Sequence, residues 1–205
     1  MKIFQIAGFL GSGKTTALIK IAKELTNRGE RIAIIVNDIG EVAVDGKIIE
    51  DYGLDAKEIA SGCICCQVSG SFIETLSILH DSFNPDIVIV EPTGVAAPNI
   101  VKDVADSIKS IKSGALIKVQ HAPILTIVDS SRIELLLKAV KRLVEKQIKE
   151  ADIIGINKID ISNEDLITST EKFVKNLNPQ SRIIRISAKT GDGLSEIIEE
   201  ILNGH

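Results

Sequence analysis

Short runs of β-branched and aliphatic residues recur along the chain and constrain its fold more than any other feature. Six runs are almost free of polar residues, the exceptions being Gln5, Thr126 and Arg185. Continuous apolar runs of this length are typical of strands that are buried on both faces of a sheet. The predicted strands are Ile3–Ala7, Ile32–Val36, Ile87–Val90, Ile124–Val128, Ile153–Ile156 and Ile183–Ile186.

Segments of helical length and period separate most of these runs. This alternation predicts an α/β fold with a mostly parallel central sheet flanked by helices, because parallel neighbours need crossover connections. We expect functional loops at the carboxyl ends of the strands. The predicted helices are Thr15–Arg28, Phe72–His80, Val101–Ile111, Arg132–Lys149, Asn163–Asn176 and Leu194–Leu202.

The composition indicates one ordinary globular domain that covers residues 1–205. Hydrophobic residues make up 44% of the chain and charged residues 25%, with a formal net charge of −4. This balance lacks the basic excess that binding to nucleic acid or to an anionic membrane needs. No apolar run approaches the roughly 18 residues of a membrane span, and no signal peptide is recognisable. We therefore expect a cytoplasmic protein without nucleic-acid or membrane partners.

A glycine-rich segment follows the first predicted strand and precedes the first predicted helix. Residues 8–15 read Gly-Phe-Leu-Gly-Ser-Gly-Lys-Thr, which matches the phosphate-binding P-loop pattern in the expected structural context. Glycines let backbone N–H groups approach phosphate oxygens, Lys14 places a cation at the β- and γ-phosphates, and Thr15 offers a hydroxyl to Mg²⁺. The sequence thus predicts a P-loop NTPase. The predicted phosphate-binding residues are Gly11, Ser12, Gly13, Lys14, Thr15 and Thr16.

The tetrapeptide Asn157-Lys158-Ile159-Asp160 follows the fifth predicted strand and indicates which base is bound. A carboxylate at Asp160 can accept hydrogen bonds from the ring N–H and the 2-amino group of guanine, and adenine has neither donor there. We expect Asn157 to brace the loop and the stem of Lys158 to cover the base. The alternative is an ordinary turn in which Asp160 caps a helix. After the last predicted strand, the loop Ser187-Ala188-Lys189 is predicted to offer N–H groups to the guanine carbonyl.

Two further acidic residues follow predicted strands. Glu91 is expected near Mg²⁺ and the γ-phosphate, and Gly94 would let the backbone approach that phosphate. Asp38 can reach the magnesium shell or orient water. The alternatives are a helix-capping role for Glu91 and a solvated turn for Asp38. Lys14, Asp38 and Glu91 are the predicted catalytic residues, and Thr15, Asp38 and Glu91 the predicted magnesium ligands.

Three cysteines lie within four residues in Gly62-Cys63-Ile64-Cys65-Cys66. Thiolates at this spacing can converge in a tight loop, and three of them suit a soft or borderline ion such as Zn²⁺. A fourth ligand would come from Asp38, a histidine, water or a thiolate of a second copy of the chain. Buried structural cysteines and a redox pair are the alternatives.

In these motifs, and in Val36-Asn37-Asp38-Ile39-Gly40-Glu41-Val42 and Glu91-Pro92-Thr93-Gly94-Val95-Ala96-Ala97-Pro98, the chain resembles the P-loop GTPases that assemble metal centres. That family contains the urease and hydrogenase nickel-insertion GTPases and the CobW-like proteins, and the motif set points to the CobW-like branch. The resemblance spans nearly the whole chain.

The resemblance implies Mg²⁺-dependent GTP hydrolysis coupled to delivery of zinc, cobalt or nickel to a client metalloprotein or cofactor pathway. It also implies that Cys63, Cys65 and Cys66 form the transition-metal site, with Zn²⁺ first among the candidates, and that the chain forms a nucleotide- or metal-dependent homodimer. Unlike most CobW-like proteins, this sequence ends at His205 without a further domain or a histidine-rich stretch. A regulatory nucleotide switch and an ATP-using kinase are the competing hypotheses.

Overall fold

The computed structural model describes residues 1–36, 55–58, 69–92, 94 and 119–203. These residues form eight strands and five helices. The strands are β1 (Lys2–Gly8), β2 (Ile32–Val36), β3 (Asp55–Glu58), β4 (Ile87–Glu91), β5 (Gln120–His121), β6 (Leu125–Asp129), β7 (Ile153–Asn157) and β8 (Arg182–Arg185). The helices are α1 (Lys14–Asn27), α2 (Ser69–Ser82), α3 (Ile133–Lys149), α4 (Glu164–Leu177) and α5 (Leu194–Asn203).

The strands form one sheet in the order β3-β2-β4-β1-β6-β7-β8, with β5 also pairing with β1. Every pairing between these strands is parallel. The predicted α/β class with a mostly parallel sheet is therefore confirmed. The parallel register brings the carboxyl ends of β1, β4, β6 and β7 to one edge of the sheet, which we call the carboxyl edge.

Both faces of the sheet are buried, as the continuous apolar runs predicted. Successive residues of β1 contribute to different clusters: Ile3 packs with Phe72 and Leu76 of α2, whereas Phe4 packs with Leu18 of α1 and Ile197 of α5. A third cluster joins β6 and β7 to α3 and α4. Helices on both faces thus hold the sheet and fix the positions of the loops at its carboxyl edge.

The six predicted strands and five of the six predicted helices are present, with ends that differ by three residues or fewer. Strands β3 and β5 were not predicted. The sixth predicted helix, Val101–Ile111, lies outside the described residues. None of the helices in the described part is long and apolar enough to cross a membrane.

Charged side chains connect neighbouring elements at the opposite edge of the sheet, where the strands begin and which we call the amino edge. The Arg31 guanidinium, just before β2, binds both carboxylate oxygens of Asp86, just before β4, at 2.8 and 3.0 Å. These hydrogen bonds lower the pKa of Asp86 to about 2. At the same edge, Lys2 Nζ donates to the carbonyls of Ile201 and Leu202 at 2.8 and 3.2 Å. Lys2 thereby caps the carboxyl end of α5.

Candidate nucleotide-binding site

The glycine-rich segment forms a tight loop between β1 and α1. Gly13 immediately precedes α1 and has φ +97°, a conformation that side chains other than glycine rarely adopt. A Cβ atom at Gly13 would also collide with the side-chain amide of Asn157. The loop can therefore adopt this shape only with glycine here. It leads directly into the amino end of α1, where anions are stabilised.

Lys14, Thr15 and Glu91 meet at the base of this loop. Thr15 Oγ1 donates to Glu91 Oε1 at 3.0 Å, and Lys14 Nζ lies 4.0 Å from the same oxygen. Lys14 Nζ also donates to the carbonyl of Phe9, within the loop, at 3.3 Å. Lys14 and Glu91 are each only 7% exposed, so their charges are little screened by water.

This group of side chains fits the requirements of a magnesium ion. Mg²⁺ prefers hard oxygen ligands, and it is held through one or two protein oxygens together with phosphates and water. The Thr15 hydroxyl and the Glu91 carboxylate supply such oxygens side by side, at the start of α1 and the end of β4. Gly94, three residues after Glu91, approaches the backbone of the glycine-rich segment so closely that a Cβ atom there would lie 2.9 Å from the nitrogen of Leu10.

Asn157 links the glycine-rich segment of residues 8–15, which we call the phosphate loop, to the region expected to bind the base. It ends β7, is 2% exposed, and donates from Nδ2 to the carbonyl of Ser12 at 2.6 Å. Its Oδ1 accepts from the backbone N–H of Ala188 at 2.9 Å. One buried amide therefore joins three loops, which follow β1, β7 and β8.

The residues around Asp160 form a second hydrogen-bonded group. Asp160 is exposed, and its Oδ1 accepts from the Ser187 hydroxyl at 2.8 Å. The Ser187 hydroxyl in turn accepts from the backbone N–H of Thr190 at 3.1 Å. Lys189, between them, is exposed. The carboxylate is thus oriented by its neighbour and keeps one face toward solvent.

Lys158 is held by a residue that the motifs did not identify. Its Nζ lies 2.6 Å from Asp129 Oδ2, and the Asp129 side chain is 1% exposed. Asp129 Oδ1 accepts from the N–H and the hydroxyl of Ser131 at 3.0 and 2.6 Å. Lys158 has φ +69°, in the left-handed region that residues other than glycine rarely adopt. Asp129 ends β6 as Glu91 ends β4, and applying the rule of strand carboxyl ends to β6 would have found it.

The predicted residues therefore divide into two sets. The structure brings together the phosphate loop, Glu91, Gly94 and the loops after β7 and β8 along the carboxyl edge. Asp38 and the three cysteines Cys63, Cys65 and Cys66 lie outside the described residues. Thr16 is exposed in the first turn of α1. Within the described ranges, no group of three or more His, Cys, Asp or Glu side chains has an arrangement that could hold a metal ion.

These features define a P-loop NTPase. The central sheet is parallel, a glycine-rich loop precedes a lysine and a threonine at the start of the first helix, and an acidic residue ends a neighbouring strand. Comparison with known families specifies the class further. The family model described as CobW/HypB/UreG, nucleotide-binding domain, matches residues 2–185. The chain belongs to this P-loop GTPase family.

Two relatives with similar sequences have names that refer to zinc. The chain is 28% identical over 202 residues to zinc-regulated GTPase metalloprotein activator 1 of Schizosaccharomyces pombe, an alignment that covers 95% of this chain and 47% of the relative. It is 40% identical over 99 residues to the zinc chaperone YeiR of Escherichia coli, covering 48% of this chain and 30% of YeiR. The chain spans about half the length of the first of these relatives.

Solved structures share the fold. The hydrogenase maturation factor HypB from Archaeoglobus fulgidus has a TM-score of 0.67 at 20% identity, covering 99% of this chain and 89% of that one. HypB from Helicobacter pylori, in complex with nickel, also has a TM-score of 0.67 at 20% identity, covering 98% of this chain and 85% of that one. At these identities the likeness shows the fold alone.

Proposed function

We propose that this chain binds GTP together with Mg²⁺ and hydrolyses it slowly to GDP and phosphate. The contact of Thr15 and Lys14 with Glu91 at the base of the phosphate loop carries the proposal, because it joins a cation, a hydroxyl and a carboxylate where the β- and γ-phosphates would lie. When bound, Mg²⁺ would neutralise phosphate charge. Lys14 would move from the Phe9 carbonyl to the phosphates, and Asp38 would orient water.

Guanine selectivity is assigned to Asp160. Its carboxylate is already oriented by Ser187, so little side-chain freedom is lost when a base with two adjacent N–H donors binds. Ser187, Ala188 and Lys189 would lie against the same base, and Ala188 is held through Asn157. An adenine base would leave the carboxylate without its donors, and that asymmetry makes hydrogen-bonded sites selective.

Nucleotide competition tests this assignment. Titration of the protein with a fluorescent GTP analogue, displaced by unlabelled GTP or ATP, should show a preference for GTP of at least about 100-fold. Asp160→Ala should reduce that preference to less than about 10-fold. Asp165→Ala, an exposed aspartate in the first turn of α4, is the matched control and should retain it. Equal binding of ATP and GTP by the unmodified chain would refute guanine selectivity and favour an ATP-using enzyme.

We further propose that GTP controls a transition-metal site formed by Cys63, Cys65 and Cys66, and that the chain is a metallochaperone. Membership of the CobW/HypB/UreG family and relatives named zinc chaperones support this proposal. In the sequence, the cysteines lie between Asp38 and Glu91, the two acids expected to respond to the γ-phosphate. Binding or hydrolysis of GTP would then change how the thiolates hold Zn²⁺, or Co²⁺ or Ni²⁺.

Metal titration with and without nucleotide tests the coupling. The affinity for Zn²⁺ should differ at least about fivefold between the GDP-bound and the GTP-analogue-bound protein, the range typical of coupled sites. Single Cys→Ser changes at positions 63, 65 and 66 should each weaken Zn²⁺ binding and leave GTP affinity unchanged. If neither the nucleotide nor these substitutions alter metal affinity, the chain is a nucleotide switch with structural or redox-active cysteines instead.

The remaining parts of the proposal concern partners and location. We propose that residues 1–205 act as one GTPase domain, that the metal is passed to a client metalloprotein or cofactor pathway, and that the chain dimerises when nucleotide or metal is bound. Three cysteines within four residues are unlike the dispersed, even set of a secreted disulfide-bonded protein, which supports a location in the cytoplasm. Sedimentation analysis of the protein with GDP, with a GTP analogue and with Zn²⁺ should show the dimer in at least one of the liganded states.

A further inference from the structure

The side chain of Arg132 lies against the phosphate loop. A Cβ atom built on Gly11, in the middle of that loop, would lie 3.0 Å from one of the terminal guanidinium nitrogens of Arg132. Gly8, where the loop begins, pairs with Ile127 of β6, and Arg132 follows β6 by three residues. The guanidinium therefore reaches the carboxyl edge of the sheet beside the loop that is proposed to bind phosphates.

The backbone of Arg132 is fixed. Its N–H donates to the carbonyl of Asp129 at 3.2 Å, and its own carbonyl accepts from Leu136 at 3.0 Å within α3. The next residue, Ile133, is 5% exposed in the cluster that joins α3 to the sheet. Because the backbone is held from both sides, the long side chain starts from a fixed point next to the loop.

Among the described residues, the acidic side chains at this edge have other partners than the Arg132 guanidinium. Lys14 lies 4.0 Å from Glu91, and Lys158 lies 2.6 Å from Asp129. The other oxygen of Asp129 accepts from Ser131. Within the described part of the chain, Arg132 forms neither an ion pair nor a side-chain hydrogen bond. Arg132 is therefore a half-buried cation that no described carboxylate pairs with, and it lies beside the loop proposed to bind phosphates. Such a cation is well suited to bind a polyphosphate.

We infer that Arg132 binds the phosphates of the nucleotide and acts as a second cation beside Lys14. This inference rests on the nucleotide binding proposed above and adds a residue that no P-loop or base-recognition motif contains. Arginine donates several hydrogen bonds in a fixed planar geometry and matches phosphate oxygens, so an exchange for lysine would preserve the charge and lose part of the contact.

Nucleotide titration of the full chain tests the role of Arg132. Arg132→Gln should weaken GTP binding about tenfold, as expected for the loss of one charge-assisted contact, and Arg132→Lys should weaken it less. Arg142→Gln, an exposed arginine in α3, the helix that Arg132 immediately precedes, is the matched control and should bind GTP like the unmodified chain. The thermal midpoint of each variant reports whether the fold is retained.

The dependence of binding on salt distinguishes a phosphate contact from a structural effect. Arg132→Gln should reduce the slope of log affinity against log salt concentration, whereas a variant that only distorts the loop would keep that slope. Equal GTP affinities and equal slopes for Arg132→Gln and Arg142→Gln would overturn the inference. If the unmodified chain prefers ATP, guanine selectivity fails, and the same series run with ATP still tests Arg132 because both nucleotides carry the same phosphates.

Discussion

The side-chain nitrogen of Asn157 lies 2.6 Å from the carbonyl oxygen of Ser12, so the end of β7 is hydrogen-bonded directly to the phosphate loop. The same side chain accepts from Ala188, in the loop after β8. The groups proposed to bind phosphate and base therefore share one buried connection. Both loops are thus hydrogen-bonded to the same side-chain amide.

We expect Asn157→Ala to weaken both the fold and nucleotide binding. It removes two buried hydrogen bonds and leaves the Ser12 carbonyl and the Ala188 N–H without their partner, which costs roughly 2 kcal/mol of unfolding free energy. GTP affinity should fall at least about tenfold, because the phosphate loop loses its brace. Urea denaturation and nucleotide titration measure the two effects.

Asn178→Ala is the matched control for this change. Asn178 also binds backbone carbonyls through its amide, at Ile148 and Ala151, but it lies near the amino end of β8. Its replacement should lower the unfolding free energy and leave the GTP affinity of the folded protein unchanged. If both variants bind GTP equally well, the connection through Asn157 is structural only.

Two glycines with similar backbone angles should differ sharply when replaced by alanine. Gly13 has φ +97° and would collide with Asn157, whereas Gly29 has φ +93° and open space around it. Gly29→Ala should cost only about 1 kcal/mol from backbone strain. Gly13→Ala should abolish detectable GTP binding, as measured by fluorescent-nucleotide titration. Retained binding in Gly13→Ala would show that the phosphates do not depend on the close approach of these two residues.

Thr15 should set the magnesium requirement. Thr15→Ala removes the hydroxyl that contacts Glu91, and we expect the Mg²⁺ concentration for half-maximal GTP hydrolysis to rise at least about tenfold. Thr26→Ala, on the same helix, removes a hydroxyl that donates to the Ala22 carbonyl at 2.9 Å and should leave this concentration unchanged. A phosphate-release assay across a magnesium series distinguishes the two variants, and equal curves would contradict the role of Thr15.

The Arg31–Asp86 pair should make stability depend on pH in the acid range. The pKa of Asp86 is lowered from 3.8 to about 2, first by the side-chain hydrogen bond from Arg31. The pair therefore stabilises the fold above pH 3.8, and this contribution is lost as the pH falls through 2. The Asp86 side chain is 38% exposed, so after solvent screening we expect about 1 kcal/mol at neutral pH.

Denaturation of Asp86→Asn between pH 7 and pH 2 measures this contribution. The variant should be less stable than the unmodified chain at pH 7, and the difference should disappear near pH 2. Asp81→Asn, an exposed aspartate in α2, is the control and should show no such difference. A difference that stays constant down to pH 2 would rule out the charge of Asp86 as its cause.

The buried strands could be predicted from the sequence because burial on both faces requires continuous apolar runs. Strand β3 reads Asp-Ala-Lys-Glu and β5 has only two residues, so neither has such a run. Both were missed because parallel backbone hydrogen bonds to β2 and β1 define them. Backbone pairing leaves little trace in the identity of the side chains.

The sequence also pointed to the glycine-rich loop and the Asn157-to-Asp160 segment, because the patterns that predict nucleotide binding have particular residues at fixed spacing. Asp129 and Arg132 belong to no such motif, and their positions depend on the pairing of β6 with β1 and β7. Only the folded chain shows that Asp129 holds Lys158 and that Arg132 lies beside Gly11. Sequence patterns identified local chemistry here, and the register of the sheet determined which additional side chains joined it.

The contact of Lys2 with the Ile201 and Leu202 carbonyls has a practical consequence for experiments on this protein. It places the start of the first strand and the end of the last helix within one side chain's reach, on the side of the sheet away from the phosphate loop. Energy transfer between dyes attached near both positions would report whether the protein is folded. If the protein were attached to a solid support through that side, the phosphate loop would remain accessible to solvent.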